Sequence, residues 1–148
     1  MVVDYMRDYL EAKYHFATAK RMFKSYYDFE EKRFLVGVIN EAARSVSSLV
    51  KAYLIFEGIL GKNSKKNLKI FMDRVSVDYL DSGSRINLFK ILEVERAQKK
   101  SPIEFSRKDK IILLINGKYR FLTVSRIGEF LDSIEGALKA FPGWRRQV

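Results

Sequence analysis

The sequence of 148 residues contains no cysteine and only one histidine. The absence of cysteine excludes a disulfide framework, a thiolate metal site and a cysteine nucleophile. The histidine, His15, has no second histidine or cysteine to act with, and we expect it to have no acidic partner. We therefore interpret it as a structural residue at or near the surface. The sequence also has no phosphate-cradling glycine loop, nucleophile elbow or HExxH pattern, so it predicts no catalytic residue, metal or cofactor.

Long hydrophobic runs are missing as well. No segment approaches the roughly 18 consecutive apolar residues of a membrane span. The first residues, Met1–Tyr14, include acids and do not have the composition of a signal peptide. An apolar fraction of 47% and an aromatic fraction of 14% are typical of a globular chain. We expect one domain spanning residues 1–148, in the cytoplasm and without a membrane partner.

Positive charge is concentrated in two segments of the chain. The net charge is +10, of which Lys62–Lys69 carries +4 without any acid and Arg96–Arg120 carries +6. This concentration favours a polyanionic partner such as RNA or a nucleotide. A lysine-rich solubilising surface is the alternative. The residues predicted to bind nucleic acid are Lys62, Lys65, Lys66, Lys69, Lys99, Lys100, Arg107, Lys108 and Lys110.

The segment Phe34–Phe56 is the one around which we expect the rest of the chain to pack. It has no proline, and its apolar residues recur every three or four positions around most of a helix circumference. One stripe of this predicted central helix stays polar and forms its open side: Asn40, Arg44, Ser47 and Lys51. Because burying an unpaired arginine is very costly, Arg44 must reach solvent or pair with an acid such as Glu41. The stripe is either a solvated face or an anion-contacting groove.

Further helices are expected before and after the central one. The first, about Val3–Tyr27, has a narrow heptad seam, which predicts an antiparallel αα-hairpin with the central helix. A third is expected at about Lys65–Tyr79, and its lysines occupy the first turns, where the helix dipole disfavours cations. An anion site would explain that local cost. A fourth is expected at about Ser84–Gln98, with Ser84 as its N-cap. Its predicted core face carries Ile86, Phe89, Leu92 or Val94, and Ala97.

The pattern changes in the last third of the chain. Ser101–Glu104 has the composition of a capping box and predicts a short helical turn. The segments Ile111–Ile115 and Lys118–Leu122, separated by Asn116–Gly117, predict a β-hairpin with a type I′ turn. A last helix follows. The predicted fold is all-α, an antiparallel bundle of about five helices with one small β-hairpin before the last helix.

The central helix resembles that of HEPN domains, which are small prokaryotic helical bundles. The resemblance lies in the Phe34–Gly58 segment, with Asn40 and the run Leu49–Leu54. The later stretch Lys100–Lys108, followed by the hairpin, resembles an archaeal branch of such proteins. HEPN domains are often homodimeric and often partnered with nucleotidyltransferases, so the resemblance implies these two kinds of partner.

The ribonuclease members of that family pair an arginine with a histidine a few residues later. Leu49, Val50 and Lys51, which follow Arg44, offer no histidine, so no catalytic residue is carried over. The resemblance then implies a non-catalytic module that binds RNA or nucleotide phosphates through its basic segments. The alternatives are a scaffold subunit that partners a nucleotidyltransferase without nucleic-acid affinity, and a toxin-type ribonuclease that lacks the usual histidine.

Overall fold

The computed structural model of the chain describes residues 4–100, 104–107, 110–115 and 117–143. It is a helical bundle with a small antiparallel sheet before the last helix, which confirms the predicted fold class. The third predicted helix is present, but its middle turn is π-helical and separates two α-helical parts. The elements in chain order are α1 (Tyr5–Phe29), α2 (Lys32–Phe56), α3 (Ser64–Ile70), the π turn (Phe71–Val75), α4 (Ser76–Tyr79), α5 (Ser82–Lys100), β1 (Glu104–Arg107), β2 (Lys110–Ile115), β3 (Lys118–Thr123) and α6 (Val124–Ala140).

Helices α1 and α2 form the predicted αα-hairpin. The chain reverses within two residues because Glu30 adopts a left-handed conformation, with φ of 54°. The seam residues Ala12 and Ala19 are fully buried, and the Ser45 hydroxyl donates a hydrogen bond of 2.7 Å to the Ala12 carbonyl. Small side chains at these positions let the two helix axes approach closely, which fixes their register.

An aromatic cluster around Tyr53 ties α2 to the other helices. The Tyr53 ring is fully buried and lies 5.4 Å from the ring of Phe71, 5.2 Å from that of Tyr79 and 5.0 Å from that of Phe141. Its hydroxyl donates a 2.8 Å hydrogen bond to the carbonyl of Ala137 in α6. One residue of α2 thus anchors the π turn, α4 and α6, and burial raises the pKa of its phenol well above the usual range.

The start and the core face of α5 differ from the sequence prediction. The Asp81 carboxylate, rather than the Ser84 hydroxyl, caps the helix by accepting a 2.7 Å hydrogen bond from the Ser84 amide. Ile86 and Phe89, predicted to face the core, are 61% and 46% exposed. Val94 and Ala97, predicted on the same face, are buried. Apolar residues occur on both faces of this helix, and the packed face is the one that carries Leu88, Ile91, Val94 and Ala97.

The sheet has three antiparallel strands in the order β1-β2-β3, one more than the predicted hairpin. The hairpin itself is confirmed, since Ile115 pairs with Lys118 and leaves two residues for the turn. The helical turn predicted for Ser101–Glu104 is wrong at Glu104, which begins β1 and pairs with Ile112; residues 101–103 lie outside the described part. A third strand gives the hairpin the support that an isolated two-stranded ribbon lacks.

Substitutions at Tyr53 separate its hydrogen bond from its ring packing. We expect Tyr53→Phe to lower the free energy of unfolding by about 1 kcal/mol, since it removes one buried hydrogen bond. We expect Tyr53→Ala to lower it by about 3–5 kcal/mol, since it leaves a cavity among three rings. Urea unfolding followed by circular dichroism measures both values. Equal losses in the two variants would contradict the role given to the aromatic cluster.

Candidate anion-binding groove

The start of α3 is held in place by two asparagines. Asn63 caps the helix, because its side-chain oxygen accepts a 3.1 Å hydrogen bond from the Lys66 amide. The buried Asn67 side chain makes two 2.9 Å hydrogen bonds to the backbone of Gly61, one from the Gly61 amide and one to its carbonyl. Lys65 and Lys69, four residues apart, therefore project from one face of a fixed helix.

That face of α3 forms a groove with α2 and α5. The groove has a volume of about 640 Å³, within the range of small-molecule sites. Its apolar lining comes from all three helices and from the π turn, and its cations from α2, α3 and α5. The lining residues are Ser47, Val50, Lys51, Ser64, Lys65, Asn67, Leu68, Lys69, Met72, Asp73, Phe89, Leu92, Glu95 and Arg96.

The charges of the groove are not balanced. Four cations line it (Lys51, Lys65, Lys69 and Arg96) against the two acids Asp73 and Glu95. Glu95 is already paired with Lys99, at 2.6 Å. Within the described ranges, no carboxylate lies within 4.0 Å of a nitrogen of any of the four cations. The groove thus suits an anion that also carries an apolar part.

Asp8 is the acid that acts on Lys51 from a distance. It is buried on α1, at 5% exposure. Burial raises the pKa of its carboxyl, and the positive charges of Arg7 and Lys51 lower that pKa by a smaller amount. The attraction between Asp8 and Lys51 is thus a smaller influence on this carboxyl than its own desolvation.

A smaller polar pocket adjoins the groove. Its volume is about 320 Å³, and it shares Ser47 and Glu95 with the groove. The side-chain oxygen of Asn40 is buried and has no hydrogen-bond partner in the part of the chain that the structure describes. Such an atom is uncommon in proteins and fits a site for a bound polar group or water. The residues that line this polar pocket are His15, Asn40, Ala43, Arg44, Ser47, Ser48, Glu95 and Lys99.

His15 corrects a sequence prediction, because it does have an acidic partner. Its Nδ1 lies 2.6 Å from Glu41 Oε2 across the α1–α2 interface, and both side chains are mostly buried. The other oxygen of Glu41 lies 3.5 Å from Arg44 Nη1. Arg44, which is 66% exposed, both pairs with Glu41 and reaches solvent, as predicted. One carboxylate thus holds a histidine and an arginine beside the same pocket, with His15 Nε2 left free of this contact.

The structure brings part of the predicted set together. Lys65 and Lys69 lie in the groove with Ser47 and Lys51 of the polar stripe, and Lys99 lies in the polar pocket with Asn40 and Arg44. Lys62, Lys66 and Lys100 are exposed but line neither cavity. Arg107 and Lys110 are paired on β1 and β2; their side chains, and all of Lys108, lie outside the described part.

The sequence analysis gave no site role to His15, Phe89 or Glu95. Phe89 was expected in the core, and His15 was interpreted as a structural residue. His15 meets Glu41 only because of the register between α1 and α2, since the two residues are 26 positions apart. No periodicity in the sequence reports that register. Arg96 belonged to the predicted basic segment, but its place in the groove depends on the position of α5 against α3.

Comparisons with known proteins give no assignment. No protein-family model, no curated protein and no solved structure matches this chain. Among the described residues, no group of three or more histidine, cysteine, aspartate or glutamate side chains is placed to hold a metal ion. None of the described helices is both long enough and apolar enough to cross a membrane. The resemblance to HEPN domains stays a prediction, and the groove has to be interpreted from its own chemistry.

Proposed function

We propose that this protein is a HEPN-like helical module that binds RNA or nucleotide phosphates in the groove between α2, α3 and α5. The observation that supports this most is the set of four cations that converge on one groove without a carboxylate partner in the described ranges. Lysine and arginine side chains are the usual partners of phosphate oxygens. The homodimer and the nucleotidyltransferase partner implied by the resemblance are further predictions.

The apolar part of the groove supports a ligand larger than a lone phosphate. Phe89 and Leu92 of α5 and Met72 of the π turn line it beside the cations. Phe89 is 46% exposed, so burial of its ring by a ligand would be favourable. A nucleobase presents a flat apolar face and its phosphate presents the negative charge, which matches the two kinds of lining.

The position of the lysines on α3 supports an anion as the ligand. Ser64 is the first residue of the helix, so Lys65 and Lys66 stand near its positive end, where their charges are unfavourable by a few tenths of a kcal/mol or more each. A bound phosphate would turn this local cost into an attraction, because the lysine side chains attract negative charge.

Charge reversal in the groove tests the proposal. The test variant carries Lys65→Glu, Lys69→Glu and Arg96→Glu. The matched control carries Lys13→Glu, Lys20→Glu and Lys24→Glu on the exposed face of α1, which changes the net charge equally. Binding of a labelled single-stranded RNA is followed by fluorescence anisotropy from low to near-physiological salt. The slope of log affinity against log salt is negative. We expect it to become less steep by about 2 in the test variant, since each lost phosphate contact removes about 0.7.

The control variant distinguishes the loss of the groove cations from the loss of net charge. It should keep most of the affinity and of the salt slope, because its three lysines line neither the groove nor the polar pocket. An equal loss in the two variants would mean that binding follows net charge alone and would contradict a site in the groove. No binding by the unmodified protein, even at low salt, would overturn the proposed function itself and would favour the scaffold alternative.

The polar pocket favours a second candidate function, the ribonuclease alternative. This is supported by His15 and Arg44, which are far apart along the sequence but line one pocket and both contact Glu41. A carboxylate that holds one imidazole nitrogen orients the other to move a proton. In this candidate reaction His15 Nε2 takes the proton of an RNA 2′-hydroxyl, whose oxygen attacks the phosphorus. The bond from phosphorus to the 5′-oxygen breaks, and the departing oxygen takes a proton from water. Arg44 stabilises the charge that develops on the phosphate.

Cleavage assays in the presence of a chelator test this candidate. We expect the unmodified protein to cut a labelled RNA to fragments with 2′,3′-cyclic phosphate ends. We expect His15→Ala to lower the rate by roughly 10²–10⁴-fold, the usual contribution of a general base, and Arg44→Ala to lower it with RNA binding largely kept. Thermal unfolding confirms that each variant is folded. Cleavage that persists in His15→Ala, or that is absent from the unmodified protein, would exclude this chemistry.

A further inference from the structure

The β-hairpin presents two aromatic rings to solvent. Tyr119 is 72% exposed and Phe121 is 67% exposed, the two highest values among the large hydrophobic residues of the described chain. They are two residues apart on β3 and therefore share one face of the sheet, about 7 Å apart along the strand. Phe121 pairs across the strands with Ile112, which is half-buried and lies on the same face.

The hairpin does not need Tyr119 or Phe121 for its attachment to the helices. Ile111 and Leu122 pair with each other on the opposite face and are buried, so the hairpin already has an apolar attachment to the helices. The other strongly exposed aromatic residues lie on α1, and each contacts a neighbouring ring. Neither Tyr119 nor Phe121 contacts another ring within the described residues. Their faces are therefore free for a ligand.

The charges around the rings decide which partner fits. The segment Lys110–Thr123 contains three cations and no acid. The exposed Lys118 and Arg120 alternate with the two rings along β3 and therefore lie on the opposite face of the sheet, whereas Lys110 pairs with Thr123 at a register position on the ring face. A second copy of the chain docked here would bring two such basic hairpins together, which is unfavourable. A single-stranded nucleic acid brings phosphates for the cations and flat bases for the rings.

We infer that the Tyr119–Phe121 face of the hairpin is a stacking platform for unpaired bases. The inference rests on the proposed function and adds to it the class of ligand, single-stranded rather than fully paired nucleic acid. In a duplex the base faces are stacked on each other and cannot reach exposed aromatic side chains. The groove then supplies the phosphate contacts and, at Phe89, a place for one base, and the hairpin stacks further bases of the same strand.

Two probes of equal charge test this inference by fluorescence anisotropy. One is a labelled oligouridine, and the other is an oligomer of the same length without bases. We expect the unmodified protein to bind the oligouridine at least about fivefold more tightly, because each stacked base adds to the affinity. Tyr119→Ala with Phe121→Ala should remove most of this preference and leave the affinity for the abasic oligomer unchanged. The matched control, Tyr27→Ala with Phe29→Ala, removes two exposed rings from α1 and should keep the preference.

The outcomes separate this inference from the proposed function. Equal affinity of the unmodified protein for the two probes would overturn the stacking platform and leave phosphate binding in place. A preference that is undiminished in the hairpin variant would also overturn it. If that variant instead changes the sedimentation coefficient while the preference survives, the face is a protein interface. Absence of binding to either probe would overturn both the proposed function and the inference that depends on it.

Discussion

The burial of α2 is the constraint on which the rest of the structure depends. This helix is apolar around most of its circumference, so it is stable only when other elements cover it. Helix α1 covers one side, the Tyr53 cluster recruits the π turn, α4 and α6, and α5 packs against a further side. The polar stripe from Asn40 to Lys51 is the side left uncovered. The groove and the polar pocket form there because the helices that flank the stripe cannot close over it without burying charge.

The chemistry of the two cavities follows from which helices border them. Along the groove, α3 and α5 add cations that the described part of the chain does not neutralise, together with the ring of Phe89. Along the polar pocket, α1 adds His15, and Glu41 of α2 fixes it by a charge-assisted hydrogen bond. Ser47 and Glu95 line both cavities, so the groove and the polar pocket lie next to each other. A bound polyanion in the groove would therefore have a neighbouring segment at the pocket.

The sequence was sufficient for the helical bundle and the hairpin, because each depends on local periodicity or on turn residues. The predictions from the sequence were wrong where two structural arrangements had similar local patterns. Helix α5 has apolar residues on two faces, and only packing against α6 and α2 selects the face with Leu88 and Ile91. Ser101–Glu104 resembles a capping box, yet Glu104 gains strand pairing with Ile112. The contact of His15 with Glu41 depends on an interhelical register that a single sequence does not encode locally.

The central claim is that the groove, and not the surface at large, receives the phosphates of a bound nucleic acid. Nuclear magnetic resonance of ¹³C-dimethylated lysines tests it most directly, since dimethylation keeps the positive charge. On titration with single-stranded RNA, the account predicts that the signals of Lys51, Lys65 and Lys69 shift and saturate together. Those of the exposed lysines on α1 should move little. Shifts of similar size over all lysines, or none at the groove, would contradict the claim.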